Sequence, residues 1–314
     1  MKPGGNAPEG RLHEKKHPSG VLVLNKPGGP TSTACLNRIK ARFKLKKIGH
    51  AGTLDPMARG VLVVLLGQAT KLAPYITEGF KTYWGVIRLG VRTDTYDTQG
   101  TVLEEKDWTG VSPDQVRKEI KSWESLKQQT VPPVSAAKHQ GQAFHALVRA
   151  GQEVPCKTKE INIYQAAVLN IELPLVEFRT TCSAGTYVRS LAHSLGMRLG
   201  CCAALADLVR EKSHPFSLDQ AVDLDSLLEK RDLEEHLLSI PAALSHWTRI
   251  SLDREQEKLV RNGRPVDARG FSGDAPRQPS RALLISMDGF ALALAEARKQ
   301  DGRWVWSIVR GLWT

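Results

Sequence analysis

With 314 residues and 41% hydrophobic content, the chain can bury one large core plus a smaller one, and disorder throughout is excluded. Apolar runs such as Val61 to Leu66 stop far short of the ~18 residues a membrane-spanning helix requires. A net charge of +11 favours an anionic partner, nucleic acid first and an anionic membrane second.

The amino-terminal stretch "MKPGGNAPEGRLHEKKHPSG" carries charges, Gly and Pro but no apolar segment. Residues 1–18 are therefore read as a flexible basic tail and not as a signal peptide, with a cytoplasmic location as the default. "GVLVLNKPGGPTS" follows as a short buried strand ending in a Pro/Gly turn. Leu36, Ile39 and Phe43 then lie at helical spacing. Six of the ten residues from Arg38 to Lys47 are basic, which suits either a solvated face or a phosphate-contacting surface.

"GVLVVLLG" (60–67) is a continuous apolar run of the kind found in strands buried on both faces, and "KTYWGVIRLGVRTDT" (81–95) reads as a strand entering a polar loop, with a short helix between them. At "SPDQVRKEIKSW" the order Ser112, Pro113, Gln115 predicts an N-cap, a first-turn proline and a capping-box partner. "EINIYQAAVLNIEL" and "LVEFRTTCSAG" give two more strands. "TYVRSLAHSLGMRLG" gives a helix, from the spacing of Val188, Leu191, Leu195 and Leu199. A leucine-rich helix is predicted over roughly 223–239. Composition shifts near 244–250. Beyond it, a loop-rich stretch precedes two alternating segments joined at Asp301-Gly302, which together read as a small all-β-like module. Trp304 and Trp306 fall on one face of its last strand, where core packing is the preferred role.

The five cysteines are odd in number and lack a CxxC spacing, and the vicinal Cys201 and Cys202 suit a shared tetrahedral zinc poorly. Reduced thiols and no metal are expected.

"GHAGTLDPMARG" (49–60) isolates one carboxylate, Asp55, in a glycine-rich turn. Turn chemistry alone accounts for Asp-Pro. Gly49, Gly52 and Gly60, however, allow positive φ and close approach, so the segment also reads as a rigid cradle presenting an acid. The run "GHAGTLDPMARGVL" is similar to the catalytic motif of TruB-type tRNA pseudouridine synthases. The resemblance extends in order through "LNKPGGPTS", "KTYWGVIRLGVRTDTYDTQG", "SAAKHQGQAFHALVRAG", "CSAGTYVRSLAHSLG" and "ALADLVREKSHPFSL", across roughly residues 20–220.

That resemblance implies isomerisation of uridine 55 in the TΨC loop of tRNA to pseudouridine, without cofactor or metal. Asp55 would be the reactive carboxylate, attacking base or sugar or removing a sugar proton. Arg189 would be the cation beside it, and Tyr83 the aromatic that stacks on the flipped base. The bland alternatives are a helix-face arginine and a core tyrosine. His50 would help extrude the nucleotide, paired with Asp97. Tyr187 would lie near the acid, Leu208 and Arg210 would line the uracil pocket, and Lys26 with Pro27 would support the catalytic loop. Ala51, Met57, Arg59 and Val134 depart from the usual motif.

The expected fold is mixed α/β, with a mostly antiparallel central sheet, flanking helices and a catalytic cleft over 19–245, then a β-rich PUA-like module over 246–314. Monomer is the expected state. The rival readings are a non-catalytic tRNA-binding or folding protein, and a synthase acting on another RNA.

Overall fold

In the computed structural model, which describes residues 18–269 and 280–313, Val61 to Leu66 are wholly buried because their strand has a core on each side. Strand β1 (Gly20–Lys26) pairs antiparallel with β3 (Arg59–Leu66), and side chains alternate between the two faces. Leu22, Leu24, Leu62 and Val64 join the larger core, while Val21, Val23, Val61 and Val63 join a second. The continuous apolar run is the sequence trace of that double burial.

Helix α1 (Ser32–Arg42) and strand β2 (Ile48–Ala51) lie between β1 and β3 in the chain, and β2 lies against β3. The sheet continues through β4 (Lys81–Leu89), β5 (Ile163–Glu172), β6 (Leu175–Cys182), β7 (Ala203–Ser213) and β8 (Val222–Asp223). Its spatial order is β5-β6-β4-β7-β3-β1-β8, nine strands in all with β2 and the short Phe216–Ser217 strand. Only the β7–β3 and β1–β8 pairings are parallel, so the sheet is mostly antiparallel.

Helix α2 (Pro113–Ser122) begins as its sequence dictates: Ser112 Oγ accepts from Gln115 N, and Gln115 Oε1 accepts from Ser112 N. It packs near α3 (Val188–Leu199), which carries Arg189 in its first turn.

The helix predicted over 223–239 is much shorter. Helix α4 (Leu224–Glu229) stops at Lys230, and a separate 3-10 turn covers Glu234–His236. The backbone turns extended at Lys230, and Arg42 of α1 satisfies the freed end by donating to the carbonyls of Leu228 and Lys230 at 2.8 and 2.7 Å. Leu224, Leu227 and Leu233 still reach the larger core. The same contacts revise the basic run at 38–47. Arg38 pairs with Asp225 at 2.7 Å and Arg42 caps α4, and all six basic side chains of the run are exposed.

The carboxy-terminal five-stranded sheet has the order β9-β11-β12-β13-β10, from β9 (Thr248–Ser251), β10 (Val266–Asp267), β11 (Arg281–Ile285), β12 (Ala291–Gln300) and β13 (Arg303–Gly311). Asp301 and Gly302 both adopt positive φ, +49° and +78°, as a two-residue hairpin turn requires. The module is not all-β, since helix α5 (Arg254–Arg261) intervenes. Trp306 is buried and Trp304 packs against the same core, as expected for core side chains. Leu283, Leu294 and Leu312 of this region belong to the second core with Val21 and Val63, so the two sheets share an apolar interface. Residues 1–17 of the expected 1–18 tail, and most of the loop-rich stretch, at 270–279, lie outside the described residues. No described helix is long and apolar enough to cross a membrane.

Candidate active site

The loop between β2 and β3 carries Asp55, and three side chains hold its backbone from behind. Lys26, at the end of β1 and wholly buried, donates to the carbonyls of Pro27, Pro56 and Ala58 at 2.8, 3.0 and 2.8 Å. Every proton of the ammonium has an acceptor. Burial lowers the Lys26 ammonium to about 8. Arg210, 1% exposed on β7, donates to the carbonyls of Val61, Thr53 and Gly52. Ser32, at the start of α1, accepts from Leu54 N at 2.9 Å and donates to Leu54 O at 3.0 Å. A turn closed by Ala58 N donating to Asp55 O completes the loop.

Gly60 shows why a glycine is needed here. Its φ is +98°, and a Cβ would lie 2.4 Å from the Arg210 carbonyl oxygen. The positive φ expected at Gly60 is present, and the close approach is made by the β7 backbone.

Arg189 meets the acid from the other side of the chain. Its Nε lies 2.8 Å from Asp55 Oδ2 and its Nη2 lies 3.0 Å from Asp55 Oδ1, a two-point grip. The remaining donors reach the carbonyls of Thr95 at 2.7 Å and Val134 at 3.0 Å, and Asp97 Oδ2 lies 3.7 Å from Nε. The guanidinium is 5% exposed, whereas the Asp55 side chain is 36% exposed. The cation is thus buried and the acid half-open. Two carboxylates at the start of α3 also offset the cost of a cation at the positive end of a helix.

Asp55, Arg189, Asp97, His50 and Met57 lie on the wall of one cavity of about 480 Å³. Exposed Arg149 lies at the same wall. Burial raises the Asp97 carboxyl, against hydrogen bonds from Thr95 Oγ1 and Gln99 N that favour the charged form.

Four of the nine nominated residues, Asp55, Arg189, Asp97 and His50, therefore share the cavity wall. The other five are packed around it. Tyr83 is 8% exposed on β4, and burial raises its phenol, which contacts the Arg210 guanidinium. Leu208 is buried in the core cluster that includes Tyr83 and Leu54. Tyr187 packs against the Val131, Phe144 and Leu147 cluster, and its backbone exchanges hydrogen bonds with the Gln129 amide. Arg210, implied by the resemblance to line the uracil pocket, is not on the wall of this cavity, because its guanidinium faces the carbonyls of the loop that carries Asp55.

The implied His50–Asp97 pairing is also corrected. Asp97 has its charge against Arg189, while His50 Nδ1 is buried and has no hydrogen-bond partner among the described residues. Burial, with Arg210 nearby, lowers the imidazole from 6.5. Ser32, Thr95 and Gln129 were not nominated. Ser32 and Thr95 sat inside quoted motifs, yet they act largely through or upon backbone groups, which leave no sequence signal.

The profile of the TruB family pseudouridylate synthase (N terminal domain) matches residues 40–188. A relative called tRNA pseudouridine synthase B from Nitratidesulfovibrio vulgaris (strain DSM 19637 / Miyazaki F) is 49% identical over 299 residues, covering 94% of this chain and 97% of that protein. Another of the same name, from Oleidesulfovibrio alaskensis (strain ATCC BAA-1058 / DSM 17464 / G20), is 50% identical over 298 residues, covering 94% and 96%. Among solved structures, a chain in the crystal structure of a Cbf5-Nop10-Gar1 complex has the same fold, with a TM-score of 0.69 at 23% identity over 94% of this chain and 85% of that one. With relatives this similar along nearly its whole length, the chain belongs to the TruB family of pseudouridylate synthases.

Proposed function

We propose that this protein is a tRNA pseudouridine synthase that isomerises uridine 55 of the TΨC loop. The observation that carries the reading is the two-point grip of buried Arg189 on half-open Asp55 at a cavity wall. Two relatives at about half identity bear the name of that activity. The reaction is redox-neutral: the N1–C1′ bond breaks, a C5–C1′ bond forms, C5 loses a proton and N1 gains one. An ionised carboxylate fixed beside the extruded nucleoside suffices to start it.

In this reading the tRNA T arm docks by shape and phosphate contacts, and the target base leaves its stack for the cavity. Asp55 acts on the nucleoside, Arg189 holds and aims the acid, and Tyr83 offers an aromatic surface to the uracil. His50 and Asp97 face the entering nucleotide from the wall. Leu208 and Tyr187 shape the apolar surroundings, and Lys26 and Arg210 hold the loop rigid. The enzyme works in the cytoplasm as a monomer, with residues 19–245 catalytic and 246–314 assisting RNA binding.

Incubating the protein with unmodified tRNA transcripts and mapping the product nucleotide tests this reading. Pseudouridine at position 55 alone is the predicted result. Binding without conversion would favour a tRNA-folding protein, and modification elsewhere would favour a synthase with a different RNA substrate.

A further inference from the structure

The loop that presents Asp97 contains a backbone conformation that its residue type disfavours. Tyr96 has φ of +66°, in the left-handed region that side chains with a Cβ rarely adopt. Its neighbours are the two groups that bind Arg189 from this loop: the Thr95 carbonyl, 2.7 Å from Nη1, and the Asp97 carboxylate, 3.7 Å from Nε. Flattening the turn at Tyr96 would rotate both away from the guanidinium.

The Tyr96 ring is stacked on the His193 ring, with centroids 3.9 Å apart and planes within 2°. His193 lies one helical turn beyond Arg189 on α3, so the same helix face carries the guanidinium and the aromatic platform. The backbone of the turn is tied on its far side to β7, through Leu205 N donating to Tyr96 O and Thr98 N donating to Leu205 O. The loop is thus clamped between a strand and a helix, with Thr93 Oγ1 and Thr95 Oγ1 also donating to Asp97 O within it, and on the helix side Tyr96 contributes the ring stack.

We propose that Tyr96 and His193 form a positioning pair, whose stack holds the left-handed turn that seats Thr95 and Asp97 on Arg189 and thereby orients Asp55. Neither residue touches the reacting atoms. The pair acts through Arg189, and the proposal rests on Asp55 being the reactive carboxylate.

The test is single-turnover conversion of a tRNA transcript, with tRNA binding and the thermal midpoint measured in parallel. Tyr96→Ala and His193→Ala should each slow conversion by about tenfold, with tRNA affinity unchanged. Tyr96→Phe and His193→Phe, which keep two stacked rings, should stay within about twofold of the wild type. The double variant Tyr96→Ala/His193→Ala should be no slower than either single one, because both remove the same contact.

Tyr96→Gly separates this device from ordinary packing. Glycine has no ring but adopts the left-handed turn freely, so Tyr96→Gly should convert faster than Tyr96→Ala. A glycine variant no better than alanine, or additive losses in the double variant, would overturn the proposal. So would a His193→Phe as slow as His193→Ala, and should the alanine variants fail to fold, the Phe variants decide alone, a loss well beyond twofold from the wild type overturning the proposal. A wild-type protein that makes no pseudouridine would instead remove the reading on which the pair rests.

Discussion

The ammonium of Lys26 lies 3.0 Å from the carbonyl of Pro56, the residue that follows Asp55. The same nitrogen binds Ala58 O and Pro27 O, so one side chain fixes both flanks of the turn. Lys26→Met would keep the apolar stem and leave the three carbonyls without this donor. Stability should fall by about 1–3 kcal/mol, seen as a lower urea midpoint, and conversion should slow as the turn loosens. An unchanged midpoint would show that these bonds contribute nothing net.

Arg189→Lys tests geometry separately from charge. Lysine keeps the positive charge but cannot span both Asp55 oxygens while also reaching Thr95 O and Val134 O. Conversion under single-turnover conditions should drop by ~10²-fold or more, with tRNA affinity nearly unchanged. A lysine variant with a normal rate would reduce Arg189 to a simple counter-charge.

Acid stability should depend on His50. Burial lowers its folded imidazole below the ordinary value of 6.5. Below that pH the unfolded chain binds a proton that the folded chain does not, so stability rises with pH in this window. The contribution is fully present above 6.5 and is lost as pH falls through it toward the depressed folded value. The raised carboxyl of Asp97 works in the opposite sense, in a window that begins at 3.8. Comparing His50→Gln with the wild type cancels that background. Urea midpoints from pH 5 to 7.5 should fall less steeply toward acid in the variant, and parallel profiles would contradict the assignment.

Much of this architecture was legible because the signals were local. Ser112, Pro113 and Gln115 specify a helix start with no help from the rest of the chain, and Asp301-Gly302 specifies a hairpin turn. The break after α4 was not legible, since the donor that caps it, Arg42, is 186 residues away in sequence from the Leu228 carbonyl. The site divides the same way. Asp55 and Arg189 stood in motifs, and the structure brings them into contact. The acceptors at Thr95 and Val134 are backbone carbonyls, which every residue possesses, so residue type could not mark them. The family resemblance placed Arg210 at the uracil pocket, and its sequence position could not show that its fork turns to the carbonyls of Gly52, Thr53 and Val61.

The central claim is that the Asp55 carboxylate carries out the chemistry and contributes little to grip on RNA. Single-turnover conversion and tRNA binding by Asp55→Asn test it most directly, because the amide keeps shape and removes the negative charge. The account predicts binding close to the wild type and a rate lowered by ~10³-fold or more. Conversion at a near-normal rate, with binding intact, would contradict it.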